Sequence, residues 1–398
     1  NALLLYYSVN EIRGIYAINN TLYWTETDYT DSFIKSVAIA GGTVTDIATL
    51  NSQWSFDIVV DDANSYLYYT SNISGFTSLF RMPIAGGIPT KKQSFGTTYI
   101  NSFTLIGGTA IWTGTEWING PATTNAPAII EGNYTSVGNL AVGELTIKNN
   151  ALVAIPAGVN LTVNGKLTVE PGSTLTLESN ANLVQTTDVA NSGTISIKRS
   201  TAPLKLLDYV LWSSPVAGQQ LQSYSPLTLS NRFYTYNSGT NLYNAVVSPS
   251  ADTFTAGKGY LIRMPNNHPT TPTIWTGTFT GIPTNGTVTV PVTSGTYNAI
   301  GNPYPSTILA DSFIDANGIT EALYFWRKTN NSANPSYATY TKAGGVGTAN
   351  SADPNGLIPN GVIQVGQGFI AKATSNAISF TNAIRTAANG NQFLKTKK

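Results

Sequence analysis

The first hundred residues contain two copies of one alternating pattern of apolar and polar residues. Leu22–Thr25 recurs as Leu67–Thr70, and Ile39–Gly42 recurs as Ile84–Gly87, each pair 45 residues apart. Two matches at one period indicate a repeated unit. The segments between them alternate apolar and polar residues and are separated by polar turns, which predicts short β-strands. We expect residues 1–110 to form two stacked four-stranded sheets.

These repeats resemble blades of the YWTD type of β-propeller, in which a Leu-Tyr-Trp-Thr-Asp strand precedes an Ile-x-Arg strand and a Gly turn. Arg81, but not Lys35, matches the arginine, and Glu26 and Ser71 stand where the family has Asp. Propellers close with about four to eight blades, whereas this chain holds two and a partial third near Ile100–Ile106. The resemblance implies further blades upstream in a longer gene product, and an open stack of repeats is the alternative.

Residues 111–200 contain a regular series of apolar triplets. Most triplets place two aliphatic side chains on one face of a short strand with Thr or Ala on the other, and Gly and Pro supply the corners. Most steps are eight residues long and one is six. This spacing predicts a short β-solenoid of stacked narrow coils, with a β-sandwich meander as the alternative. The triplets are Leu145–Ile147, Val153–Ile155, Leu161–Val163, Leu167–Val169, Leu175–Leu177 and Leu183–Gln185.

The last part of the chain contains a diverged internal duplication. Its second copy is stretched by a Gly-, Asn- and Ser-rich segment at 329–360, which is typical of a long loop. We predict two β-sandwich units, 201–296 and 297–398, packed face to face, and a linker at the C-terminus. The three matching pairs are Trp212–Pro215 with Ile300–Pro303, Phe233–Tyr236 with Tyr324–Trp326, and Gly257–Arg263 with Gly366–Lys372.

The composition limits the classes of partner and chemistry. The chain has 398 residues, a formal net charge of +1 and only 10% charged residues. Nucleic acids and acidic membranes need clustered Lys and Arg, so we expect neither as a partner. The absence of cysteine from the sequence excludes disulfides and thiol nucleophiles. No apolar run approaches the roughly 18 residues of a membrane span, so we expect a chain that does not span a membrane.

The residues that carry acid–base chemistry are few and scattered. The only histidine, His268, lies in the loop-like segment Pro265–Pro269, which excludes a His-based triad or a two-His metal site within this chain. Asp61–Asp62 reads as a blade turn, and Glu170 and Glu178 flank solenoid corners, so no convergent carboxylate pair is evident. We predict no catalytic, cofactor-binding or metal-binding residues.

Glycines around Lys258 form a motif that could be mistaken for a phosphate-binding loop. Gly257–Gly259 lacks the Gly-x-x-x-x-Gly-Lys-Ser/Thr spacing, and Gln367 replaces the lysine in the second copy. We interpret the motif as a tight turn that enters a buried strand.

Aromatic residues are the one feature with clear binding potential. The chain has 21 Tyr and 7 Trp, and exposed rings of both types can stack on sugars. Trp24, Tyr68 and Trp326 lie in predicted strands at positions that suit a core. Trp117 and Trp275 lie nearer polar turns, so we predict that these two stack on a ligand.

Residues 112–398 together resemble a tandem of modules found in very large exported proteins of the Bacteroidota, especially flavobacteria. The resemblance implies export by the type IX secretion system, with its outer-membrane translocon or a shuttle protein as partner. It also implies a place on the outer membrane of a Gram-negative bacterium, or release from it. The tandem's motifs occur in order as Trp112–Gly120, Leu161–Leu177, Ser214–Pro215, Gly257–Tyr260, Gly301–Pro305 and Gly366–Phe369.

We therefore expect an all-β, non-catalytic cell-surface or secreted protein of the adhesin or stalk kind. One alternative is the non-catalytic C-terminal part of a secreted polysaccharide-active enzyme, and another is a glycan-binding module. A sorting domain normally follows this tandem, so we expect the native chain to extend beyond Lys398.

Overall fold

The computed structural model describes residues 8–18, 20–61, 65–100, 109–118, 121–326, 337–346 and 358–388. These residues belong to two compact units, one of Asn1–Gly108 with Asn119–Pro121 and one of Thr109–Ile118 with Ala122–Lys398. Strands predominate in both units, and the described residues include two short α-helices. The all-β prediction is confirmed.

The described residues of the first unit form two four-stranded antiparallel sheets, in which each strand pairs with the next along the chain. Each sheet corresponds to one sequence repeat, so the prediction of two four-stranded sheets is confirmed. The third copy expected near Ile100–Ile106 lies, apart from Ile100, outside the described residues. The strands are β1 (Glu11–Ile18), β2 (Thr21–Thr27), β3 (Ser32–Ala38), β4 (Thr45–Leu50), β5 (Trp54–Asp61), β6 (Tyr66–Ile73), β7 (Phe76–Pro83) and β8 (Thr90–Ser94).

The two sheets of the first unit pack closely where β1 meets β5. A Cβ atom on Gly14 would lie only 2.7 Å from the Cα of Asp57, so this approach requires glycine. Trp24 is buried as predicted, whereas Tyr68 is only half-buried. Glu26 is fully buried and pairs with Lys35, its Oε1 lying 3.0 Å from Nζ.

The second unit begins with a β-solenoid of about four turns, so the solenoid prediction is confirmed over the meander. Its three parallel faces are β9-β11-β14-β17, β12-β15-β18-β20 and β13-β16-β19, and the short β10 pairs antiparallel with β9. The strands are β9 (Ala110–Trp112), β10 (Trp117–Ile118), β11 (Ala128–Ile130), β12 (Tyr134–Thr135), β13 (Leu140–Val142), β14 (Leu145–Ile147), β15 (Leu152–Ile155), β16 (Asn160–Val163), β17 (Leu167–Val169), β18 (Thr174–Leu177), β19 (Asn182–Gln185) and β20 (Ile195–Ser200).

The register of the solenoid explains its sequence spacing. Leu145 pairs with Leu167 and Leu161 with Leu183, so the triplet steps of eight, eight and six residues trace one three-sided coil. Asn160 and Asn182, which are 22 residues apart, stack on successive coils, and Nδ2 of Asn182 donates to Oδ1 of Asn160 at 2.9 Å. The inward aliphatic side chains form a continuous buried core.

Two central sheets follow the solenoid, the first with order β21-β25-β23-β24 and the second with order β28-β34-β30-β31-β32. Their elements are β21 (Tyr209–Trp212), β22 (Val216–Ala217), α1 (Leu221–Tyr224), β23 (Phe233–Asn237), β24 (Leu242–Ala245), β25 (Tyr260–Arg263), β26 (Thr276–Pro283), β27 (Val288–Pro291), β28 (Tyr297–Gly301), β29 (Thr307–Leu309), α2 (Ala310–Asn317), β30 (Leu323–Trp326), β31 (Tyr337–Thr341), β32 (Gly344–Val346), β33 (Val362–Ile363), β34 (Gly368–Lys372), β35 (Ala377–Phe380) and β36 (Arg385–Thr386), with 3₁₀ turns at Ser230–Arg232 and Asn382–Ile384.

The two central sheets repeat one topology, because the matching sequence segments occupy matching strands in the same order. One sequence prediction is wrong: the loop expected at 329–360 contains the hairpin of β31 and β32. Strand β31 contains two Tyr and two Thr among its five residues, and both types favour a strand. The surrounding segment is rich in Gly, Asn and Ser, which masks this signal in the sequence. The rest of that segment, apart from 358–360, lies outside the described residues, as does the C-terminal end of the chain from residue 389.

The solenoid and the first central sheet share one hydrophobic core. Strand β20 of the solenoid pairs antiparallel with β26, and Leu177 of the solenoid belongs to the same buried cluster as Trp212 and Phe279. The expected boundary after residue 200 therefore does not separate two cores. The division of 111–398 into modules ending at residues 200 and 296 stays a prediction about how the chain is assembled.

The two central sheets meet in a symmetric pair of hydrogen bonds, which we call the reciprocal contact. The N–H of Ser213 donates to the carbonyl of Gly366, and the N–H of Gly301 donates to the carbonyl of Gly257, both at 2.9 Å. Ser213 and Gly301 are equivalent positions of the duplication, as are Gly366 and Gly257. Both acceptor glycines have φ of 75°, which favours glycine.

The reciprocal contact leaves no room for a side chain at Gly301 and little room for one at Gly259. A Cβ on Gly301 would lie 2.4 Å from the Cβ of Ser213 and 2.8 Å from the Cα of Gly368, and one on Gly259 would lie 3.0 Å from the carbonyl oxygen of Ile300. Strand β25, which follows Gly259, is buried throughout. The interpretation of Gly257–Gly259 as a tight turn into a buried strand is confirmed.

Replacing Gly301 with alanine tests the close approach. We expect Gly301→Ala to lower the free energy of unfolding by about 2 kcal/mol or more, because overpacking forces the two backbones apart. Gly138→Ala is the matched control, since nothing lies within 4 Å of its added Cβ, and it should change stability by less than about 0.5 kcal/mol. Urea denaturation measures both, and equal effects of the two variants would contradict the account.

Candidate functional site

The two tryptophans predicted to bind a ligand lie in different aromatic clusters. The ring of Trp117 is half-buried, 5.6 Å from Trp112 and 5.8 Å from Tyr134 between ring centroids. This cluster covers the first coils of the solenoid. Trp275 is also half-buried, 6.0 Å from Trp212 and 5.6 Å from Tyr224. Both rings pack against the core, and their role in ligand stacking stays a prediction.

Two other residues singled out from sequence, His268 and Glu178, have local partners, and Asp62 lies outside the described residues. His268 lies in a loop, as predicted, and its Nε2 is 2.8 Å from the carbonyl oxygen of Leu204. Glu178 forms an ion pair with Lys198 at 2.7 Å. The described part of the chain contains no group of three or more His, Cys, Asp or Glu placed to hold a metal. None of its helices is long and apolar enough to cross a membrane.

A layer of half-buried aromatic rings connects the two central sheets, and we call it the aromatic layer. It surrounds three buried aliphatic side chains, Leu211, Leu261 and Ile370. Sequence reasoning missed the layer because each strand shows only one or two tyrosines. Part of the signal lies in β23 and β30, where Tyr234 and Tyr236, and Tyr324 and Trp326, are two residues apart and so share a face. The layer consists of Tyr209, Tyr234, Tyr236 and Tyr243 from the first sheet and Tyr297, Tyr324, Trp326 and Tyr337 from the second.

Contacts within the aromatic layer join the two sheets directly. The rings of Tyr243 and Trp326 lie 6.1 Å apart, and the hydroxyls of Tyr243 and Tyr337 are 3.2 Å apart. The indole N–H of Trp326 donates to the carbonyl of Tyr209 at 3.1 Å. Trp326, expected in a core, therefore lies half-buried between the sheets.

A groove of about 280 Å³ opens in this layer, and we call it the tyrosine groove. Its volume is near the lower limit of the roughly 300–1,000 Å³ usual for ligand pockets, which suits a single ring. The wall combines aromatic faces with phenolic hydroxyls, so a ligand with both apolar and polar surface would fit it best. Its lining residues are Leu207, Asp208, Tyr209, Tyr234, Tyr243, Leu261 and Trp326.

A second, more polar groove of about 490 Å³ lies near the reciprocal contact. The exposed Lys258 is its only charged lining residue, and Thr235, Ser238 and Asn298 supply further polar groups. It has fewer aromatic side chains than the tyrosine groove, which is therefore the better candidate for a ring-shaped ligand.

The tyrosines of the aromatic layer have perturbed acidity. Burial raises the pKa of Tyr236, Tyr243 and Tyr337. Burial also raises the pKa of Tyr209. The pKa of Tyr297 is raised as well, mainly because its hydroxyl donates a hydrogen bond to Glu321. In the folded protein these hydroxyls therefore stay protonated at a pH at which the tyrosines of an unfolded chain have already lost their protons.

These shifts predict alkaline destabilisation. A tyrosine whose folded pKa is raised contributes stability that is fully present below the unfolded pKa of about 10 and is lost as pH rises beyond it. Burial lowers the pKa of Arg199 to about 10 and that of Arg385 to about 9. These two shifts make the folded state more stable as pH rises, which opposes the effect of the tyrosines, but the shifted tyrosines are more numerous. We expect the free energy of unfolding to fall between about pH 10 and 12.

Urea denaturation across this pH range, followed together with tyrosinate absorbance, checks the expectation. Part of the tyrosinate absorbance should appear only during the unfolding transition, because the tyrosines of the aromatic layer ionise when unfolding exposes them to water. Complete ionisation of every tyrosine while the chain remains folded would contradict it.

The comparisons with known proteins identify a family without a described activity. No curated protein is similar enough to this chain to give a match. Residues 110–398 match the family described as Domain of unknown function (DUF8693). The matched range contains the solenoid and both central sheets and follows strands β1–β8. The chain belongs to the family described as Domain of unknown function (DUF8693).

Proposed function

We propose that this chain is the non-catalytic part of an exported cell-surface or secreted protein of the adhesin or stalk kind. The observation that carries the proposal is the continuity of the second unit, in which the solenoid and the first central sheet share one core. Domains within a chain normally move relative to one another unless a large apolar interface holds them. A shared core prevents such motion and suits a spacer that presents a binding region at a fixed distance.

The second central sheet is joined to the solenoid as well. The buried Arg385 donates from Nη2 to the carbonyl of Leu183 at 2.7 Å and from Nε to Oγ of Ser306 at 3.0 Å. Beside it, the N–H of Thr307 donates to Oδ1 of Asn182 at 3.0 Å. The last coil of the solenoid therefore contacts the second sandwich unit through buried polar groups, which are costly to separate.

Export by the type IX secretion system is part of the same proposal. Its support is the ordered set of motifs from Trp112 to Phe369 in the sequence. The tryptophan motif lies at the start of the solenoid, and the Gly-x-Gly motifs form the reciprocal contact. The chain has no cysteine, so folding outside the cell would need no oxidation.

A glycan-binding role is a second candidate, because the tyrosine groove offers aromatic faces and hydroxyls together. Sugars combine apolar C–H faces with hydroxyls and suit such a surface. This role is compatible with display on a surface.

Deleting the outer-membrane translocon in the native host tests the export proposal. We expect the protein to be accessible to added protease on wild-type cells and to accumulate inside the deletion strain. An inner-membrane protein of the same cells serves as the control for lysis. Unchanged surface display in the deletion strain would show that another route carries the protein.

A further inference from the structure

The tyrosine groove is flanked by two guanidinium groups. Tyr209 lies directly opposite Arg263 in the pairing of β21 with β25, so both side chains are on the groove face of the sheet. Beside them, Nη1 of Arg232 donates to the hydroxyl of Tyr234 at 3.2 Å. One end of the groove therefore combines tyrosine hydroxyls with positive charge.

The duplication supplies an internal comparison for this arrangement. In the second central sheet Tyr297 lies opposite Lys372, as Tyr209 lies opposite Arg263 in the first. There the carboxylate of Glu321 accepts a hydrogen bond from the Tyr297 hydroxyl at 2.6 Å and pairs with Nζ of Lys372 at 2.7 Å. A carboxylate thus bridges the tyrosine and the cation in the second sheet.

The first sheet has no acidic residue at the matching position. Tyr324 and Tyr234 are equivalent, since they lie opposite Ile370 and Leu261 in the two sheets. Counting back three residues from each places Asn231 where the second sheet has Glu321. Asn231 is exposed and its amide has no charge, so the first sheet offers the tyrosine and the cation without a carboxylate from this position.

We propose that the tyrosine groove binds a uronic acid residue of an acidic polysaccharide. Its carboxylate takes the place in the first sheet that the Glu321 carboxylate has in the second, between the Tyr209 hydroxyl and Arg263. A planar guanidinium suits a carboxylate because it can donate two parallel hydrogen bonds. The pyranose ring lies against Tyr243 and Trp326, whose aromatic faces stack on sugar C–H groups.

The size of the groove and the charges around it bear on this ligand. Among the lining residues the one carboxylate is that of Asp208, which is buried and accepts a hydrogen bond at Oδ2 from the backbone N–H of Lys205 at 2.7 Å. The groove of about 280 Å³ holds one ring and not a long oligosaccharide. Burial is the main cause that raises the pKa of Tyr209, and the positive charges of Arg232 and Arg263 act against it. Both guanidiniums are therefore close enough to the Tyr209 hydroxyl to act on a carboxylate bound there.

The first test measures binding of four probes by NMR titration of the full chain. These are methyl glucuronide and methyl galacturonide, with methyl glucoside and methyl galactoside as neutral counterparts. We expect at least one uronide to bind about ten times more tightly than its neutral counterpart, because a hydrogen bond to a charged group is stronger. Added salt should weaken binding of the uronide and leave binding of the neutral sugar unchanged.

Three variants then locate the site. Tyr209→Phe removes one hydroxyl and should weaken uronide binding by about tenfold. Tyr297→Phe removes the equivalent hydroxyl of the second sheet and should leave binding unchanged. Asn231→Glu introduces the carboxylate of the second sheet into the first and should abolish binding, and since Asn231 is exposed the fold should be retained.

The outcomes separate clearly. Three results would each overturn the proposal. The uronides and the neutral sugars could bind equally tightly, none of the four probes could show saturable binding, or the Asn231→Glu variant could still bind the uronide. A thermal melt of every variant identifies any loss of folding. The result is independent of the export route, because purified protein is used.

Discussion

The close approach of two backbones at the reciprocal contact determines the arrangement of the second unit. Four glycines allow it: Gly257 and Gly366 by their positive φ, and Gly301 and Gly368 by the lack of a side chain where the strands meet. This approach aligns the two central sheets so that their tyrosines meet in one layer. The tyrosine groove exists only because two copies of one sheet are held in this relation.

Buried guanidinium groups add a second constraint on the same unit. Arg199 of the solenoid donates to Oδ1 of Asn180 at 2.8 Å and to Oε1 of Gln364 at 2.9 Å, which connects the solenoid to the segment between β33 and β34. Burial lowers the pKa of Arg199 to about 10, so the group remains charged at neutral pH. A buried charge is costly unless its hydrogen bonds are made, which disfavours any arrangement that separates Arg199 from Gln364.

Much of the fold could be predicted from the sequence, because repetition makes local signals visible more than once. The 45-residue period predicted two sheets, and the triplet steps of eight and six residues predicted the coils. The hairpin within 329–360 could not be recognised, since β31 is a single short strand with no repeated neighbour. The polar turns near Trp117 and Trp275 predict exposed rings, whereas packing places both rings against the core. The tyrosine groove combines residues more than a hundred positions apart, which no local pattern reveals.

Native-state hydrogen exchange of the amides in the reciprocal contact tests the central claim most directly. The amides of Ser213 and Gly301 donate hydrogen bonds to the carbonyls of Gly366 and Gly257 where the two central sheets meet. If the two sheets form one body, both amides should exchange only through global unfolding, with the same protection as amides in the middle of β25 and β34. Much faster exchange of these two amides, through a local opening that leaves both sheets folded, would contradict the account.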